Sequence, residues 1–359
     1  MRAAGERCVR MDELQAAAGN VIARATGAET GIVTSGAAAA LTLGAAASLA
    51  RLDVNRMNRL PDTTGMPNEF IAHRAHRNDY DHAVRAAGAK FVEVGFDYYT
   101  FPYEIESAVT PQTSAFYYQA GVDQGVVRLD EYASIAHRHG LPVLVDAAAE
   151  MPPATNLKSL IAAGADLVAF SGGKHIQGPQ STGILCGRRD LILSAALQHQ
   201  DMDVFPETWP LRFLIENGTV AGPPHHGIGR GFKVGKEEIA GLMTALELYQ
   251  SRNFVAELSR WTADMEHIVS SVRAVRGIAA RVQYPQSNGR EVPSAVIRID
   301  TCMGARDAHT VINALQEGDP PICVFEKYAA FGEIVIFPEA LRLGEAEIIA
   351  RRLCEVLQE

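Results

Sequence analysis

Ser171-Gly-Gly-Lys-His-Ile-Gln-Gly-Pro-Gln-Ser-Thr-Gly183 sets one lysine, Lys174, in a run of glycine and other small residues. Residues 166–170 before it and 184–186 after it are compact apolar runs, and both read as strands. A lysine just past a strand, among residues with little bulk, can shed solvent and offer its amine to a carbonyl carbon. Glycine lacks a Cβ, so backbone near Gly173 can approach a ligand closely. Ser171 and Gln180 add polar side chains to the same run.

Upstream, Leu141-Pro-Val-Leu-Val-Asp-Ala-Ala-Ala149 is an apolar strand ending on Asp146. A carboxylate at the C-terminal end of a buried parallel strand points into the crevice where α/β sheets bind ligands. Ala148 is small enough to sit under a flat ring. Thr34-Ser-Gly-Ala-Ala38 turns into an Ala-rich helix, whose first N–H groups favour an anion. Ser35, Gly36 and Ala37 form that cradle, with Ser171 as a second hydroxyl. In His73-Arg-Ala-His-Arg-Asn-Asp-Tyr80, His76 is the aromatic candidate for a ring's outer face. His73, His76 and His82 have no carboxylate or cysteine at ligand spacing, so no metal site is expected. His225 and His226 read as solvated or substrate-facing.

An amine nucleophile, a buried carboxylate, an anion cradle and an aromatic face are what pyridoxal 5′-phosphate (PLP) requires of a protein. With these motifs, Val145-Asp-Ala-Ala-Ala-Glu-Met-Pro-Pro153 and Lys233-Val-Gly-Lys-Glu-Glu-Ile-Ala-Gly-Leu242, the chain resembles the selenocysteine synthase-like family of fold-type-I PLP enzymes. This family includes D-glucosaminate-6-phosphate ammonia-lyase. The resemblance covers nearly the whole chain. It implies the PLP-dependent transferase fold type I: a large α/β domain with a mostly parallel seven-stranded sheet, and a small C-terminal α+β domain. It implies PLP held as a Schiff base on Lys174, with Asp146 at the pyridine nitrogen and Ser35, Gly36, Ala37 and Ser171 at the phosphate. Arg230 and Lys233 are brought near the site, with Gln180, as substrate or neighbouring-subunit contacts. Phe325 stands about where an arginine for a substrate carboxylate is expected.

The implied reaction is α-proton abstraction and β-elimination from a β-hydroxy amino acid or amino-sugar acid, giving a 2-oxo acid and ammonia. Lys174, Asp146 and His76 are the expected catalytic residues. Racemisation or group transfer, and a catalytically silent regulatory protein that binds PLP, are the alternatives.

The remaining sequence fits this frame. The 359 residues are 47% hydrophobic and 21% charged, with net charge −9 and no basic block of a nucleic-acid footprint. No window reaches the length and apolarity of a membrane span; residues 37–50 come nearest. Five widely spaced cysteines, without C-x-x-C, suit a reducing cytoplasm. Strands are expected over 91–94, 115–118, 142–146, 294–299 and 333–337, and helices over 129–139 and 236–249. The division falls after residue 235: 1–235 binds the cofactor, and 236–359 holds an interdomain helix and the small domain. The loop 218–235, rich in Gly and Pro, is long for a connector. The resemblance implies a homo-oligomer, at least a dimer, with active sites at the subunit boundary, and this loop, with His225, His226 and Arg230, offers material for a contact between subunits.

Overall fold

The computed structural model describes residues 1–96, 99–199, 204–286, 290–303 and 306–358. They form two compact units, Met1–Ser251 and Arg252–Glu359.

The first unit is built on a seven-stranded sheet. Its strands are β1 (Thr30–Thr34), β2 (Glu69–His73), β3 (Lys90–Val94), β4 (Thr113–Gln119), β5 (Val143–Asp146), β6 (Leu167–Ser171) and β7 (Gly183–Gly187). Their order is β1-β7-β6-β5-β4-β2-β3. β7 runs antiparallel to both its neighbours, and the remaining pairs are parallel. Parallel strands must be covered on both faces. β4 to β7 are accordingly buried almost end to end, and helices supply the cover.

The helix Ala37–Ala50 lies on the sheet with nearly every residue buried. Its alanines allow this: a Cβ at Gly44 would come 2.7 Å from Leu144 Cδ1. The helix is apolar because it is enclosed by protein, and no helix among the described residues is long and apolar enough to cross a membrane.

The helix Lys236–Gln250 packs on the helix Met11–Thr26 and buries Ile239, Leu242, Leu246 and Tyr249. It belongs to the first unit, whereas the expected division after residue 235 had placed it with the second. The stripe is buried as its spacing requires, but a stripe does not say which core it faces.

The second unit has a three-stranded antiparallel sheet, β8 (Ile278–Gln283), β9 (Ser294–Ile299) and β10 (Glu333–Ile336), with β9 central. The helices Phe254–Val272, Ala308–Gln316 and Glu345–Gln358 close its core around Met265, Ile297, Leu315 and Leu353. Phe325 bridges to Val335 and packs against Phe337 at 5.1 Å between ring centroids.

Candidate active site

Because β2, β4, β5 and β6 are parallel, the loops after them rise from one edge of the sheet. Asp146 ends β5 there and is 3% exposed. Its Oδ1 accepts the Ala148 N–H at 2.9 Å, and its Oδ2 lies 3.5 Å from the Tyr117 hydroxyl. Burial raises the Asp146 carboxyl above the usual range, while the Ala148 N–H and the Lys174 charge pull it back down. A carboxylate so enclosed needs a cationic or protonated partner to stay ionised. Asp146 thus suits a pyridinium N–H, and Ala148 orients it through its backbone.

Lys174 follows β6 by three residues. Glycines fold its loop tightly: a Cβ on Gly173 would meet Gln180 O at 2.5 Å, and one on Gly172 would meet Thr182 Oγ1 at 2.3 Å. The Gln177 N–H donates to Lys174 O at 2.9 Å, closing a turn in which Gln177 takes a φ of 59°. Left-handed backbone is costly for a residue with a side chain. The lysine is exposed and forms no ion pair among the described residues. It does not have the desolvated setting expected from the sequence, since its loop stands at the open edge of the sheet. Gln180 is exposed on the same loop.

The anion cradle is well formed. Gly36, with a φ of 117°, is the residue before the helix Ala37–Ala50, and no side chain caps that helix. A Cβ on Gly36 would meet nothing within 4 Å, so the turn opens to space. Gly183 backs it: a Cβ there would strike Gly36 C at 2.4 Å and Ala37 N at 2.7 Å. The register pairs Thr34 with Gly183 and Ser171 with Gly183, which brings Ser35 and Ser171 to one end of three strands. Both hydroxyls lack a hydrogen-bond partner among the described residues and are partly exposed. A phosphate fits this arrangement of free amides and hydroxyls.

His76 does not have the expected place. It is 0% exposed, so no face is open to a ligand ring. Its Nε2 pairs with Val122 O at 2.9 Å, and its Nδ1 accepts the Gln119 N–H at 3.2 Å. Burial lowers its pKa to about 4, which keeps it neutral with the proton on Nε2. It packs edge-on against His73 and Tyr118, at 4.6 and 4.5 Å. His76 is therefore placed as a buried support of the loop after β2, with no face open beside Lys174.

Tyr80, passed over in the sequence, stands closer to the chemistry: its ring centroid is 6.0 Å from Lys174 Nζ. Tyr117, Gln119 and Asn78 were missed too. Period-2 alternation would have paired Tyr117 and Gln119 on one face of β4. Arg230 lies in the short turn Ile228–Phe232, which packs on the helices Ala37–Ala50 and Arg189–His199. Lys233 follows it and is exposed.

An α/β sheet with one reversed strand, a lysine loop after β6 and an acid at the end of β5 define a fold-type-I PLP-dependent enzyme. The L-seryl-tRNA selenium transferase (SelA) family matches residues 79–203. A 5′-C-glycyluridine monooxygenase-decarboxylase of Streptomyces sp. is 32% identical over 97% of this chain and 82% of its own length. D-Glucosaminate-6-phosphate ammonia lyase of Salmonella typhimurium is 29% identical over 98% of this chain and 87% of its own. A solved structure of D-glucosaminate-6-phosphate ammonia-lyase superposes with a TM-score of 0.81 at 28% identity, over 99% of this chain and 89% of that one. The chain belongs to the selenocysteine synthase-like family of fold-type-I PLP enzymes.

Proposed function

We propose that the chain is a PLP-dependent lyase that removes the α-proton of a β-hydroxy amino acid or amino-sugar acid, eliminates the β-hydroxyl, and releases a 2-oxo acid and ammonia. The observation that carries this reading is the likeness, over 99% of this chain, to a structure of an ammonia-lyase. PLP, when bound, supplies the electron sink that makes a Cα–H bond acidic.

Lys174 is the residue that bonds the cofactor's aldehyde. With PLP bound, the Lys174 amine would be the base that takes the substrate's Cα proton and, once protonated, the acid beside the departing hydroxyl. Asp146 would accept the pyridine N–H, and its enclosure would favour keeping that proton there. Ser35, Gly36, Ala37 and Ser171 hold the phosphate, while Gly173 and Ala148 leave room for the ring. Gln180, Arg230 and Lys233 are assigned to the substrate or to a neighbouring subunit. We further assign the protein to the cytoplasm as a homo-oligomer, at least a dimer.

The test is release of ammonia and 2-oxo acid over a panel of β-hydroxy amino acids and amino-sugar acids, D-glucosaminate 6-phosphate included. Stoichiometric release from one member supports the lyase; consumption of none contradicts it. The 32% identity to a monooxygenase-decarboxylase favours a second reading, oxidative decarboxylation of a glycyl nucleoside. Oxygen uptake with CO2 release, and no ammonia from the panel, would select it.

A further inference from the structure

Tyr80 is a large aromatic residue left 66% exposed, one side of which meets the Lys174 ammonium. Exposed tyrosines need no special reason when their backbone is loose. The backbone of this one is fastened. Its N–H donates to Asn78 Oδ1 at 2.8 Å. The Asn78 amide donates in turn to Gln119 Oε1 at 2.9 Å and to His76 O at 3.3 Å. Gln119 is the direct neighbour of Asp146 across the β4–β5 ladder, and its Nε2 reaches Asp146 O at 3.4 Å. On the other side of Tyr80, Asp81 is 6% exposed and ion-paired with Arg77.

The phenol therefore stands on a short loop pinned to the strand of Asp146. Among the described residues its ring has no aromatic neighbour, and the contact it makes is with the Lys174 ammonium. An aromatic side chain beside an amine nucleophile, on a loop fastened to the strand of Asp146, has the arrangement of a binding surface. It also has the aromatic face that His76, with no accessible surface, lacks.

We propose that Tyr80 is a cofactor-binding residue that covers the PLP ring. This rests on the reading that PLP is bonded to Lys174 and paired with Asp146. An offset or tilted contact between two aromatic rings excludes water from both and aligns their quadrupoles. Phenylalanine would preserve that contact, whereas alanine would remove it.

The experiment compares wild-type protein with Tyr80→Ala and Tyr80→Phe in two measurements. One is the Kd for PLP, by equilibrium dialysis; the other is the melting temperature of the cofactor-free protein. Tyr80→Ala should raise the Kd about tenfold, while Tyr80→Phe stays near the wild-type value. Both apoproteins should melt with the wild type, because an exposed ring contributes little to the fold. Unchanged PLP affinity in Tyr80→Ala overturns the proposal. So does a loss of apoprotein stability large enough to account for the weaker binding. Borohydride trapping of PLP on wild-type Lys174, done in parallel, distinguishes the cases. Without that label the functional reading itself fails; with it, equal Kd values defeat the role of Tyr80 alone.

Discussion

Two loops rise from the same edge of the large sheet, residues 172–182 after β6 and residues 74–80 after β2, and they yield to sequence reading very differently. In the first, glycine density has one economical explanation. Gly172 and Gly173 sit where a Cβ would collide with Thr182 and Gln180, and the loop they allow exposes a lysine. In the second, two histidines and a tyrosine compete for one functional role, and local sequence does not rank them. The histidine that looked chemical, His76, is enclosed with both ring nitrogens occupied by backbone groups. The tyrosine that looked incidental is the residue beside Lys174. Composition reveals a site where a loop's shape demands it; burial decides among aromatic side chains, and burial is set by distant strands.

Substitutions sharpen the contrast. Lys174→Ala should have the largest effect: turnover should fall by ~10^3-fold or more, with covalent cofactor lost and folding intact, because the residue is exposed. Steady-state assay with circular dichroism of the apoprotein checks this. Asp146→Asn should slow Cα proton removal by about 10- to 150-fold, the worth of a charged buried hydrogen bond at roughly 1.5–3 kcal/mol. Exchange of the substrate's α-proton with solvent measures that step directly. Normal exchange would place the pyridine partner elsewhere.

His76→Ala tests the other loop. It removes a buried ring and leaves Val122 O and the Gln119 N–H unpaired. Unfolding free energy should drop by about 2–4 kcal/mol, read from denaturant midpoints, while Lys174 stays labelled by PLP. A stable His76→Ala protein that has lost its cofactor would restore His76 to the site.

The same loop should also give a pH dependence of stability. Burial, with the neighbouring His76, lowers His73 to about 3, and burial lowers His76 to about 4, from about 6.5 for a free side chain. Between these values the unfolded chain binds protons that the folded chain refuses. Stability is therefore complete above about pH 6.5 and is lost as pH falls, until about 4 for His76 and about 3 for His73. Each histidine contributes a slope of about 1.4 kcal/mol per pH unit within its window. Among the described residues neither His73 ring nitrogen has a hydrogen bond of good geometry, and the Val127 backbone offers only a contact that offsets part of the effect of burial. His73→Phe should accordingly be tolerated and should halve the histidine part of the slope.

Much of the fold was legible in the sequence. β4 to β7 and the helix Lys236–Gln250 announce themselves as apolar runs or stripes. β2 was missed because five residues, Glu69–His73, run straight into a charged histidine-rich segment without a turn former. β1 was read only as an apolar entry, since Gly31 weakens it as a strand. That glycine is needed where the helix Met11–Thr26 packs closest, for a Cβ would come 2.6 Å from Ile22 Cγ2. β8, with Ala279, Ala280 and Arg281, carries too little apolar bulk to signal a strand. In the candidate site, Asp146 and Lys174 stand where the sequence puts them, at the end of one strand and just past another. The Tyr117–Gln119–Asn78 set joins β4 to the loop after β2, and no local motif announces such a junction.

The central claim is that one lysine of this chain carries the cofactor. Protein incubated with PLP, reduced with borohydride and digested should yield a single phosphopyridoxyl peptide, spanning residues 171–183 and modified at Lys174. A label on any other lysine, or none at all, would contradict the account.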